Sequence, residues 1–191
     1  MNTTSQLLAL GAALLLAPLT STFAQSNWET TDALTPYSGR AIVADSSGNF
    51  ISLAISTNST TTPVSTVVSV SSDMGLNWQT VGRIPGYALK LTAAPDGTLY
   101  ASGNRSATVS GKAFVWFSQD HGATWTVSDP WAGQNTTLLC MDVAAGNAGA
   151  VYLCGYYATP RWIVRKGVLN LAGGITWTTV DNLINGDPQS I

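Results

Sequence analysis

Few residues of this 191-residue chain are of types that do chemistry, and their spacing narrows what that chemistry could be. Of ten acidic side chains only Glu29 is a glutamate, which leaves nine aspartates. Asp73 and Asp120 recur in a repeated phrase, and Asp45 and Asp96 fall in the glycine turns Asp45-Ser46-Ser47-Gly48 and Pro95-Asp96-Gly97, so these four read as turn formers rather than acid–base groups. His121 is the single histidine, and it falls at a variable position of that phrase, where a solvated turn residue is the plain reading. No Ser-His-Asp triad has positional support. One histidine and two cysteines cannot assemble a metal site, and no cofactor motif is present. Arg161, Arg165 and Lys166 lie on an extended stretch whose alternation puts both arginines on one face. They could hold an anionic ligand, or they could lay their aliphatic stems along a sheet edge. Trp116, Trp131, Tyr156, Tyr157 and Trp162 could stack on sugars or fill a core; Trp162 and Tyr156 join Arg161 and Arg165 as candidate ligand contacts.

The elements that must position these residues are announced by a repeat. Ser71-Ser72-Asp73-Met74-Gly75-Leu76-Asn77-Trp78 and Ser118-Gln119-Asp120-His121-Gly122-Ala123-Thr124-Trp125 share S-x-D-x-G-x-[NT]-W. Asn170 to Trp177 keeps Gly174, Thr176 and Trp177 but lacks the Ser and the Asp. Ser26-Asn27-Trp28 matches only in the tryptophan and the β-prone residues after it. The tryptophans are 50, 47 and 52 residues apart, a period that means one supersecondary unit repeated about or along an axis. The aspartate and serine accept backbone N–H groups, the glycine supplies a positive φ, and the tryptophan opens the next strand over the turn.

These residues (Ser71, Asp73, Gly75, Trp78; Ser118, Asp120, Gly122, Trp125; Gly174, Trp177) resemble the Asp box, or BNR repeat, of the sialidase-like β-propellers. The resemblance implies an all-β propeller of four-stranded antiparallel blades, with boxes that are structural turns away from the family's active sites. Arg83-Ile84-Pro85 is similar to the sialidase motif F/Y-R-I-P, whose arginine binds a substrate carboxylate; carried over, that role falls to Arg83. Gly82 stands where the motif has an aromatic residue, and the motif follows a box rather than preceding the first. The family's tyrosine nucleophile also needs a glutamate partner, and Glu29 is the sole glutamate. The resemblance therefore favours a non-catalytic binding or scaffolding module; the alternatives are a sialidase-like glycoside hydrolase lacking some of its catalytic blades in this chain, or a non-functional fragment of a longer propeller.

Between boxes one grammar repeats. Blade one (39–81) has strands at Arg40–Ala44, Phe50–Ile55, Thr66–Val70 and Trp78–Val81. Blade two (88–128) has Ala88–Ala93, Leu99–Ser102, Ala113–Phe117 and Trp125–Val127. Blade three (137–180) runs from Leu138 through Arg161–Arg165 to Trp177–Val180. Turn glycine to box tryptophan is 30 residues from Gly48 to Trp78, then 28 from Gly97 to Trp125 and 28 from Gly149 to Trp177. A lone outer strand is expected at 28–31 and a tail at 181–191. Closed propellers have four to eight blades, so three imply either part of a longer ring or two copies pairing into a six-bladed one.

Composition agrees with an exported β protein. Charged residues are 9% of the chain, against roughly 25% in ordinary soluble domains. The net charge of −2 and eight unclustered basic residues offer no footprint for nucleic acid. Residues 1–24 read as a signal peptide: the apolar run Leu7 to Leu19 is too short to span a bilayer, and Thr22-Phe23-Ala24 suits cleavage after Ala24. That implies a secreted or periplasmic protein with no membrane span, whose partners would be glycans or another protein. If Val143 faces Val151, Cys140 falls opposite Cys154 and a cross-strand disulfide is feasible; a slip of one residue leaves two free thiols. Both readings stay open on sequence.

Overall fold

The computed structural model describes residues 36–56, 65–104, 113–131, 138–157 and 161–184, with the backbone alone at 56, 138–141, 156, 157, 161, 183 and 184. Among the described residues there are twelve strands and no helix. They form three antiparallel sheets of four: β1 (Tyr37–Ala44), β2 (Phe50–Ser56), β3 (Thr66–Ser71) and β4 (Gln79–Ile84); β5 (Tyr87–Ala93), β6 (Leu99–Asn104), β7 (Ala113–Ser118) and β8 (Thr126–Ser128); β9 (Leu138–Ala145), β10 (Ala150–Tyr157), β11 (Arg161–Leu169) and β12 (Ile175–Ile184). Each sheet is a simple meander in chain order. These are the four-stranded blades of a propeller, and about three are present. β1 lies against β5 and β5 against β9, so the sheets converge on their first strands.

Strand alternation explains the packing. In the middle blade, Leu99, Ala101 and Trp116 face blade one, where they meet Ile51, Leu53, Val68 and Ile84. Tyr100, Val115 and Phe117 face blade three, where they meet Val143, Val151, Leu153 and Ile163. Blade two is therefore buried on both faces, the arrangement that lets a radial stack exclude water. Trp116 and Trp131 are core residues of these two interfaces rather than a surface platform. On the other side of blade one, Ile42 is exposed, as is Val168 at the end of blade three.

Two strands start one residue later than their tryptophans suggested, at Gln79 and Thr126, because the indole folds back over the turn: Trp78 Nε1 donates to the Gly75 carbonyl at 3.1 Å and Trp125 Nε1 to that of Gly122 at 2.9 Å. The third turn follows different rules. Trp177 lies inside β12, and its Nε1 donates instead to Ser128 Oγ of blade two at 2.9 Å. Asn170 N–H donates to the Gly174 carbonyl and Gly173 N–H to that of Asn170, the same pair of bonds that closes the inner turn of blade one at Asp45, Gly48 and Asn49. The positive φ accordingly sits on Gly173 (77°), not on the expected Gly174. Losing the aspartate has converted this box into an ordinary glycine-bulge hairpin.

The cysteine register also needs correction. Val143 pairs with Leu153, not Val151, and a bulge then sets Cys140 opposite Gly155. Cys154 faces Asp142 across the pair, is buried as a free thiol, and lies 3.9 Å from the Asp142 carbonyl. The longer strands and the bulge, neither evident from residue types, produce the slip.

Candidate functional site

The residues with the strongest sequence signal build turns. In blade one, Asp73 Oδ1 accepts Ser71 Oγ at 2.8 Å and Asn77 N–H at 2.9 Å, and Oδ2 accepts Asn77 Nδ2 at 2.6 Å. Backbone and side-chain bonds from Asn77, then that from Ser71, draw the Asp73 carboxyl down to about 2. In blade two, Asp120 repeats the pattern with Ser118 and Thr124. Ser71 and Ser118 Oγ accept the N–H groups of Gly75 and Gly122. Two successive residues take positive φ, Met74 with Gly75 and His121 with Gly122, which a non-glycine tolerates only where bonds of this kind hold the turn.

The box turn of blade two is also an inter-blade joint. A Cβ added at Gly82 of β4 would come within 2.6 Å of the Ala123 carbonyl oxygen and nearer still to that of Gly122. The next blade's turn thus occupies the space that a side chain at position 82 would need. His121 is not merely solvated, for its Nδ1 lies 3.5 Å from Oδ2 of the buried Asp45 in blade one. Burial raises the Asp45 pKa, but bonds from Asn49, Ser47 and His121 outweigh it, and the net shift is downward. Thr66 makes a second joint at the other end: its Oγ1 donates to the Gly86 carbonyl at 2.7 Å and accepts Ala88 N–H at 2.9 Å.

Among the described residues, the candidate ligand side chains Arg83, Trp162 and Arg165 do not converge. Arg83 lies exposed on the outermost strand of blade one, with Nη1 3.4 Å from Ser65 Oγ. Trp162 is half-buried on β11, and its Nε1 donates to Asp181 Oδ2 at 3.3 Å. Arg165 turns the opposite way, into the interface with blade two, its Cζ 5.6 Å from the centre of the Trp131 ring. Arg161 and Tyr156 mark the β11 and β10 ends farthest from the box turns; their side chains lie outside the described residues.

The three first strands share a feature at the inner edge. Each first strand carries a bulge at the same height, between Gly39 and Ala41, between Ala88 and Lys90, and between Cys140 and Asp142. Counted back from the strand ends Ala44, Ala93 and Ala145, the extra residues Arg40, Leu89 and Met141 are equivalent. Bulges at a sheet edge re-aim side chains, and this tier presents exposed Arg40, Lys90 and Asp142 on three neighbouring strands. Arg40 Cζ stands 6.0 Å from the centre of the half-buried Tyr87 ring. A planar cation over an aromatic face, with an amine and a carboxylate on the adjoining strands, is equipped to hold a polyhydroxylated ligand by stacking and hydrogen bonds. Only Arg40 and Lys90 could have been suspected from sequence, and nothing there signals the shared bulge. Among the described residues, no three His, Cys, Asp or Glu side chains are placed to hold a metal ion, and no helix is long and apolar enough to cross a membrane.

No family model and no curated protein matches the chain. Solved structures do match its fold. The α-L-arabinanase of Penicillium chrysogenum, complexed with arabinobiose, superimposes with a TM-score of 0.55 at 17% identity over 80% of this chain and 51% of its own. The α-L-arabinofuranosidase of Fusarium graminearum with arabinobiose gives 0.53 at 18% identity over 78% and 51%. A Hadza microbial sialidase gives 0.50 at 13% identity over 76% and 38%. The chain thus spans about half the length of the two fungal structures, and it shares their β-propeller fold.

Proposed function

We propose that this chain is an Asp-box propeller module, exported after cleavage behind Ala24, that binds a glycan at the inner edge of its blades without cleaving it. The observation that carries the reading is the bulge tier, where Arg40 is the extra residue of its strand, Lys90 and Asp142 each directly follow the extra residue of theirs, and Arg40 stands over Tyr87. Sugars offer an apolar ring face and a rim of hydroxyls, and this tier supplies an aromatic face with charged donors and an acceptor around it. Arabinobiose bound to the Penicillium propeller is consistent with a sugar ligand here. The scarcity of carboxylates argues against hydrolysis within this chain alone, Glu29 being the only glutamate.

A second reading has its own support. The structural neighbours are hydrolases of about twice the matched length, so a sialidase-like glycoside hydrolase assembled with further blades, from the same polypeptide or from a second copy in a six-bladed ring, is the alternative. Titration of the full chain with arabinobiose and with a sialylated trisaccharide, followed by assay for released sugar, separates the two. Binding weakened about tenfold, some 1.4 kcal/mol, by Tyr87→Ala or Arg40→Ala is expected, with no product. Unchanged binding in both variants would refute the site, and sugar release by the chain would favour the hydrolase.

A further inference from the structure

One side chain in this protein is of a type that changes charge between about pH 5 and about pH 7: His121, the single histidine. Carboxylates ordinarily lose their protons below that range, and the α-amino group, thiols, phenols and amines above it. The fold carries the imidazole from the box turn of blade two to the inner turn of blade one. Its Nδ1 lies 3.5 Å from Oδ2 of Asp45, a side chain 1% exposed against 62% for the imidazole. Asp45 is fixed from its own turn: Oδ1 accepts the N–H groups of Ser47 and Asn49, and Oδ2 accepts Asn49 Nδ2, all at 2.9 Å. His121 faces it with φ at 55°, a conformation uncommon outside glycine. Its repeat-mate Met74 takes φ 59° as well, yet stands 83% exposed. The repeat-mates of Asp45 are Ala94 and Gly146, because Ala44, Ala93 and Ala145 pair with Phe50, Leu99 and Val151. Among the described residues, an imidazole–carboxylate pair therefore joins blades one and two alone. Blades two and three are tied instead by Trp177 Nε1 to Ser128 Oγ and by Ala145 N–H to Thr92 Oγ1, neither of which titrates in this range.

The surroundings fix the sign of the effect. A protonated imidazole gives Oδ2 a charge-assisted hydrogen bond, about twice as strong as a bond from a neutral ring. Burial raises the Asp45 pKa, but the bonds from Asn49, Ser47 and His121 outweigh it, so the carboxylate stays charged across the range. The inner turn, residues 45–49, holds no other charge. Through Gly122 the box turn of blade two lies against Val68 of β3, Val81 of β4 and Leu99 of β6. Those three strands carry one charged side chain, Arg83, which is exposed and reaches Ser65. Asp73 and Asp120 are engaged within their own boxes, by Ser71 with Asn77 and by Ser118 with Thr124. Asp96, in the inner turn of blade two, accepts Thr98 N–H. The charge placed on His121 by a proton is thus answered by Asp45. Its stabilisation of the joint is present below the range in which an imidazole titrates and fades as pH rises through it.

We propose that His121 and Asp45 form an acid-strengthened clasp that tightens the joint between blades one and two as pH falls from about 7 to about 5. The test is thermal unfolding of the full chain at both pH values and constant ionic strength, beside His121→Asn, a residue that tolerates positive φ and does not titrate. The gap between the two midpoints should widen by about 2 °C in favour of the parent at the lower pH, the response of an exposed ion pair in a chain of this size. In an Asp45→Asn background, which keeps an acceptor for Ser47 and Asn49 but carries no charge, the widening should vanish. If that background fails to fold, molar sodium chloride takes its place and should remove most of the widening by screening. Parallel midpoints for the parent and His121→Asn across the two pH values would overturn the proposal. So would a widening that survives loss of the Asp45 charge or its screening by salt.

Discussion

Replacing Gly82 with alanine tests the inter-blade joint most directly. The added Cβ would press on two backbone oxygens, those of Gly122 and Ala123, with the Ala123 carbonyl carbon at 3.1 Å behind them. Backbone in a turn closed by Asp120 and Ser118 cannot rotate aside as a side chain could, so blade two's turn must lift from blade one or β4 must bend. Forcing one methyl into such a site costs about 1–3 kcal/mol. For a chain of this size each kcal/mol lowers Tm by about 2–4 °C. The control is Gly39→Ala, where a Cβ meets nothing within 4 Å. Urea unfolding of both variants against the parent should show a clear loss for the first and a change within about 0.5 kcal/mol for the second, as for open surface sites. Equal effects of the two substitutions would mean that the box turn does not bear on Gly82, and the stacking of blades one and two would have to be redrawn.

Other outcomes follow from the same geometry. Thr66→Val keeps the side-chain shape but strands the Gly86 carbonyl and the Ala88 N–H in a buried joint, and should cost about 1–3 kcal/mol for each group in chemical denaturation. By contrast Asn170→Ala should cost under about 1 kcal/mol, since the Ala172 and Gly174 N–H groups it serves are exposed and water can replace it. The Asp73 pKa is depressed in the folded state, from 3.8 to about 2, so its stabilisation is complete above pH 3.8 and is lost as pH falls towards 2. Acid unfolding of Asp73→Asn should therefore be less steep than that of the parent across that window. Ser128→Ala removes the acceptor of the Trp177 indole and should move that residue's fluorescence, which leaving Ser128 unconnected to blade three would not predict.

Legibility varied with how local the determinant was. The boxes at Ser71–Trp78 and Ser118–Trp125 could be read because the aspartate, glycine and tryptophan of each satisfy one another within eight residues. The third turn misled at Gly174: its equivalence with Gly75 is correct by alignment, but without an aspartate to hold the box the chain relaxes into a hairpin whose αL residue is Gly173. Cys140 and Cys154 were set in the wrong register because a single bulge, invisible in residue types, shifts the pairing. The arginines were the hardest, since alternation tells that Arg161 and Arg165 share a face but not what that face meets.

The unit and its repetition can be read from residue types alone: strands, turns and a tryptophan at a period near fifty residues, all specified by contacts within one blade. What one blade does to the next emerges only from their packing. Gly82 is small because Gly122 lies on it, His121 reaches the buried Asp45, and Arg165 enters a core where its repeat-mate is Trp116. These contacts join residues 34 to 76 positions apart across radial sheets, and no local pattern encodes which side chain a neighbouring blade will bring. The same separation hides the inner edge, where Arg40, Lys90 and Asp142 come onto adjacent strands only once three bulged strands are set side by side.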